Sequence, residues 1–200
     1  VSRDWSSDVC SSDLYAAAGK SRAAQKLIEE EWARRPHPAL LAPYRQARAA
    51  LDPVDWLQRV EELVARQPNH RESLMALATA AVDAQLWGEA RRYLERAQAS
   101  FGAAPSAAFC RLMAQFVEAH DGPEREAELR GWLARAAEAP PDPAWVCDAC
   151  GAAHAHWQAN CSRCGAFDRL AWRTPDHVRP VLLASADPAT GRDVAASGAG

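Results

Sequence analysis

The chain has 200 residues, 48% hydrophobic and 24% charged, with a formal net charge of −3. That length suits one medium domain or a domain with a small module, and the composition excludes a disordered polymer. The slightly acidic balance argues against a general nucleic-acid or anionic-membrane binder, since either needs a cationic face. No run of about 18 uncharged apolar residues is present to span a bilayer.

The stretch Asp4–Leu14 (DWSSDVCSSDL) has neither helical nor strand period and resembles, codon for codon, a translated high-throughput sequencing adapter. Residues 1–14 are therefore set aside as an artefact, Cys10 leaves the cysteine count, and native N-terminal elements are expected upstream. Arg supplies all but Lys20 and Lys26 of the 23 basic residues, a bias typical of GC-rich coding.

From Tyr15 to about residue 140, amphipathic runs alternate with breakers. The expected helices cover Ser21–Arg35, Ala39–Ala50, Val54–Arg66, Arg71–Ala84, Gly88–Ser100, Ser106–His120 and Glu124–Ala139. Pro36-His37-Pro38, Asp52-Pro53, Pro68 and Asp121-Gly122-Pro123 divide them. Asp52 is placed to cap a helix whose first position is Pro53. A 34-residue shift carries Leu40, Tyr44 and Ala47 onto Leu74, Ala78 and Ala81, and Trp56, Val60 and Leu63 onto Ala90, Leu94 and Ala97. A looser third copy uses Phe109, Leu112, Met113 and Phe116, then Leu129, Leu133 and Ala136. This period predicts an all-α, tetratricopeptide-type solenoid of helical hairpins over residues 15–140. By fold analogy, its concave face takes protein or peptide partners.

Residues 141–176 hold WVCDACGAAHAHWQANCSRCGAFDRLAW, with Cys147-x-x-Cys150 and Cys161-x-x-Cys164 ten residues apart. Two-residue gaps let tight turns aim four thiolates at one ion, and Gly151 and Gly165 permit the left-handed backbone that turns amides toward sulfur. The pattern predicts a small metal ribbon, with a β-hairpin between the knuckles, that folds on binding zinc or, in the same geometry, iron. With four protein ligands the site is closed, and so structural rather than catalytic. Disulfides in an exported chain, or a redox CxxC, are the alternatives; the second wants a βαβ context that the sequence lacks. His154 and His156 are possible substitute ligands. Trp145, Trp157, Phe167 and Trp172 are expected to form an apolar face that docks on the last helices and caps the array. Four Arg against three Asp between Trp145 and Pro180 give no nucleic-acid signature.

Together the repeats, the Pro36–Leu40 break (PHPAL) and the Trp145–Pro175 segment resemble the C-terminal part of bacterial HemY-type tetratricopeptide proteins, over roughly Tyr15–Pro175. The resemblance implies an inner-membrane protein with upstream transmembrane helices, a cytoplasmic repeat domain, and a role in late haem synthesis through haem-pathway enzymes or porphyrin. The layout is also similar to LapB-type regulators of lipopolysaccharide assembly, whose rubredoxin-like knuckle packs on repeats.

The remaining candidates have plainer roles. Cys110, beside Phe109 and Leu112, reads as a core thiol, and His37 as a turn residue; a tetrapyrrole carrier or enzyme would instead pair His37 with Tyr44. His70 and His120 are placed to meet helix-terminal carbonyls. Glu29–Glu31 with Arg34 and Arg35 reads as a solvated face, and residues 177–200 as a flexible tail. No P-loop, GxSxG, HExxH or dinucleotide motif is present.

Overall fold

Proline and aspartate punctuate the helices as the sequence suggests. The computed structural model describes residues 21–47, 51–102, 104–121 and 125–175, so the adapter-like start and the tail lie outside the described residues. The helices are α1 (Ser21–Arg34), α2 (Leu41–Gln46), α3 (Pro53–Val64), α4 (Arg71–Asp83), α5 (Trp87–Phe101), α6 (Ala107–Asp121) and α7 (Glu126–Glu138). Asp52 accepts a hydrogen bond from the Asp55 amide at 2.8 Å, with Pro53 opening α3. The expected helix over Ala39–Ala50 is instead a 3₁₀ turn, Pro38–Leu40, followed by the short α2. Pro43 explains the break, because its ring would clash with the Ala39 carbonyl in a continuous helix.

Consecutive helices pack as hairpins, α4 on α5 and α6 on α7, with α3 against α4 and α1 against α3. The burial pattern follows the 34-residue correspondence. Leu40, Tyr44 and Ala47 are buried, as are Leu74, Ala78 and Ala81; Trp56, Val60 and Leu63 match Ala90, Leu94 and Ala97. Fully buried Ala78, Ala81, Ala90 and Ala97 let α4 and α5 approach closely. In the third pair Phe109, Leu112 and Phe116 are buried, whereas Leu133 on α7 is half exposed. Gln67 donates to the Ala33 carbonyl at 3.1 Å, and the Trp32 indole to the Ser73 hydroxyl at 3.1 Å, tying α1 to the α3–α4 loop and to α4 itself. Among the described residues no helix is long and apolar enough to cross a membrane.

Two polar expectations are corrected. Glu31 is only 3% exposed and pairs with Arg34 and Arg35 at 3.6 and 4.0 Å; three residues beyond Ile28, it shares the inward face of α1. His70 opens a helix rather than closing one, its Nδ1 accepting from the Glu72 amide at 3.3 Å.

The β-strands among the described residues form one small antiparallel sheet ordered β2-β1-β3, from β1 (Ala144–Cys147), β2 (Ala153–His154) and β3 (Leu170–Arg173). Trp145 pairs with His154 on one side and Trp172 on the other. The link between the knuckles does not form its own hairpin; β2 pairs back across the first knuckle, and Asn160 bridges to Phe167 across the second. A tight turn at each Cys-x-x-Cys-Gly reverses the chain there, so pairing forms around the knuckles.

The ribbon docks at the opposite end from the one expected. The linker after α7 crosses the start of α6, where Asp142 accepts from the Ala108 amide at 2.9 Å and pairs with Arg111. Beyond it, Trp145 and Trp172 lie 5.8 and 4.5 Å from the His37 ring, in the turn between α1 and α2. Gln67 and His70 of the α3–α4 loop line one cavity with His37, Trp145 and Trp172. Of the four aromatics, Trp145 is buried and Trp157 and Trp172 partly so, but Phe167 is 71% exposed and takes no part in docking.

Candidate metal centre

Each knuckle is built the same way. The Cys147 carbonyl accepts from the Gly151 amide and the Cys161 carbonyl from the Gly165 amide, both at 2.8 Å. The Cys147 and Cys161 amides in turn donate to the Ala152 and Ala166 carbonyls, both at 2.9 Å. Gly151 and Gly165 sit at φ +70° and +74°, where a side chain would be strained. One local fold, used twice, therefore presents two pairs of sulfurs face to face.

The four sulfurs lie within 4.8 Å of one another. Across the two knuckles, Cys147 is 3.8 Å from Cys164 and Cys150 is 3.7 Å from Cys161. Ligands about 2.3 Å from one tetrahedral ion stand about 3.8 Å apart, so these edges fit a four-thiolate metal site. None of the four is in a disulfide. Cys147 and Cys161 are buried, Cys150 is intermediate, and Cys164 is exposed.

Neighbouring amides favour charge on sulfur. The Cys164 amide first, then the Arg163 amide and the His154 ring, bring the Cys161 thiol down to about 6. Cys164, although the Ala166 amide favours its thiolate, is pushed up to about 12 by desolvation and by its three sulfur neighbours. Four thiolates this close repel one another, and a shared cation is what lets all four ionise.

Of the two histidines in the link, His154 comes to the site and His156 is exposed. The His154 Nε2 lies 3.4 Å from the Cys161 sulfur, and its Nδ1 is 3.0 Å from the Gln158 amide nitrogen. Its position between the knuckles suggests only a substitute ligand; its place on the strand opposite Trp145 brings it beside the cluster instead.

Where the ribbon meets the helices, a cavity of about 540 Å³ is lined by His37, His70, Trp145, Trp172, Arg34 and Arg169 among others. His37 caps the 3₁₀ turn, its Nδ1 accepting from the Ala39 amide at 3.1 Å, and burial lowers its pKa to about 4. Tyr44 does not line this cavity. Its hydroxyl donates to Glu29 at 3.1 Å, and burial, then the Glu29 charge, raise its pKa to about 12. The suggested pairing of His37 with Tyr44 is thus not assembled. Cys110 is fully buried on α6 and its thiol is pushed up by burial, as a core residue's would be. His120 stacks on Phe116 at 5.4 Å beside Trp87.

No family model, curated protein or solved structure matches the chain.

Proposed function

We propose that this chain is a non-catalytic interaction scaffold. In this reading, tetratricopeptide-type hairpins form a short solenoid that offers a groove to protein or peptide partners, and a structural zinc ribbon locks its edge. The observation that carries it is the four-sulfur cluster on a module whose Trp145 and Trp172 pack on the His37 turn of the helical region. Four protein thiolates complete a tetrahedral shell, so the ion supplies folding free energy and holds the ribbon in shape. Zinc suits the all-sulfur donor set; iron suits the same geometry.

The wider setting comes from the resemblance of Trp145–Pro175 and the Pro36–Leu40 turn to HemY-type proteins. It suggests the cytoplasmic face of a bacterial inner membrane and an association with haem-pathway enzymes. A LapB-like role in lipopolysaccharide assembly shares the layout. A tetrapyrrole carrier would have to use the His37 cavity and its arginines, without Tyr44.

The test has three arms on the purified, reduced chain. Elemental analysis is expected to give one zinc per chain, lost on replacing any of the four cysteines by serine. Immobilised chain is expected to retain late haem-pathway enzymes and not lipopolysaccharide-assembly proteins; the reverse would favour the LapB-like reading. Titration with protoporphyrin is expected to give no saturable spectral shift. A chain without stoichiometric metal overturns the ribbon reading, and a saturable shift overturns the non-carrier reading.

A further inference from the structure

The residues between the knuckles form a hydrogen-bonded chain that ends on one sulfur. His154 closes β2, and pairing with Trp145 fixes its backbone. Its Nε2 stands 3.4 Å from the Cys161 sulfur, and its Nδ1 stands 3.0 Å from the Gln158 amide nitrogen and 3.4 Å from the Ser162 hydroxyl. The Gln158 amide also donates to the Ser162 hydroxyl at 3.2 Å. An amide nitrogen only donates, so Gln158 requires a bare Nδ1, and the neutral ring then carries its proton on Nε2, facing sulfur.

We infer that His154, with its tautomer set by Gln158, is a positioning residue for the metal centre: it donates an N–H···S hydrogen bond that partly neutralises the Cys161 thiolate and holds the link against the cluster. The inference rests on the metal reading, since only a thiolate bound to an ion stays an acceptor throughout. It assigns His154 a task other than ligation. The four sulfurs fill the shell, and the imidazole lies against one of them at hydrogen-bonding distance. Drawing charge from a thiolate lowers its nucleophilicity toward electrophiles, and outer hydrogen bonds of this kind tighten metal sites about 10- to 100-fold.

The experiment uses the full chain loaded with zinc, as wild type, His154→Ala, His154→Gln and Gln158→Leu. Zinc affinity is read by chelator competition, and the alkylation rate of each cysteine by iodoacetamide footprinting with mass spectrometry. His154→Ala is expected to weaken zinc binding about tenfold and to raise the Cys161 rate several-fold relative to the other three cysteines. His154→Gln, which keeps an N–H donor, is expected to recover part of both effects. Gln158→Leu is expected to shift the Cys161 rate in the same direction by less. Equal Cys161 rates in wild type, His154→Ala and Gln158→Leu, with one zinc bound in each, overturn the inference and leave the metal reading standing. Wild type without zinc overturns the metal reading itself. If His154→Ala fails to hold zinc, Gln158→Leu decides: a Cys161 rate no higher than wild type overturns the inference.

Discussion

The His37 ring meets Trp172 edge-on at 4.5 Å, joining the first loop of the helical region to the last strand of the ribbon. Trp145 packs against both rings, 5.8 Å from His37 and 5.3 Å from Trp172. Removing the ion should therefore be felt first at this seam. On chelation, amide-exchange protection is expected to fall over Leu40–Tyr44, around His70 and at the start of α6, where Asp142 caps. The middle of α5 should keep its protection. Loss confined to α7 would contradict docking at the His37 turn. Trp172→Ala, which leaves all four cysteines in place, is expected to keep its metal but cost about 2–3 kcal/mol in denaturant unfolding.

The same seam makes stability depend on pH. Folded His37 is neutral, with its pKa pushed down to about 4 by burial, while the unfolded ring titrates near 6.5. Between those values the unfolded chain binds more protons, so this contribution is fully present above about 6.5 and is lost as pH falls toward 4. Arg34, Arg35, Arg169 and His70 line the same cavity and oppose protonation; Asp148 and Asp168 favour it. His70 is also lowered, by burial and then by Arg71, and adds in the same direction. After allowance for the ring's partial exposure, His37 is expected to account for about 1 kcal/mol between pH 7 and pH 5. His37→Asn keeps an acceptor for the Ala39 amide and should flatten the slope, read by urea titrations at each pH with bound zinc checked.

Trp32 is fully buried, and its indole N–H is satisfied by Ser73, itself fully buried. Ser73→Ala leaves that donor without its acceptor and is expected to cost about 1–3 kcal/mol. Adding Trp32→Phe to Ser73→Ala should cost less than Trp32→Phe alone, because the orphaned donor is removed with the ring. Additive losses in a double-mutant cycle would show that the bond contributes nothing.

Between α4 and α5, Gln85 holds φ +55°, a left-handed conformation that a side chain adopts at a cost. The Leu86 amide then reaches back to the Ala81 carbonyl at 3.0 Å, closing the helix end. Gln85→Gly is expected to raise stability by about 0.5–1 kcal/mol, the relief of strain exceeding the entropy gained by the unfolded chain. Thermal unfolding checks this, and a lower midpoint would count against it.

Much of the helical region can be read locally. Prolines and Asp52 mark the breaks, and alanines at helical spacing mark the contacts, so most helix ends fall within two residues of expectation. The cluster is equally legible, because Cys-x-x-Cys-Gly fixes each turn within a few residues. What escapes is non-local. Nothing around Pro36-His37-Pro38 announces that Trp172 will cover it, and nothing in the polar run Glu29–Glu31 singles out Glu31, except its spacing from Ile28. Phe167 reads as part of a docking face by composition, yet it lies just past the second knuckle, bridged to Asn160 and beside Asp168, whose φ is +51°. His70 misleads for another reason: an imidazole serves either helix end, and only the position of its backbone decides which.

The linker that carries Asp142 also meters the molecule. From Glu138 to Trp145 an extended chain reaches at most about 25 Å, and adjacent helices stand about 8–10 Å apart. An inserted helix pair would lengthen the path from the end of α7 to the His37 turn by at least one such spacing, while the reach of the chain from Glu138 to Trp145 stayed the same. The linker thus sets an upper limit on how far the end of α7 can lie from the His37 turn while the two tryptophans stay seated there.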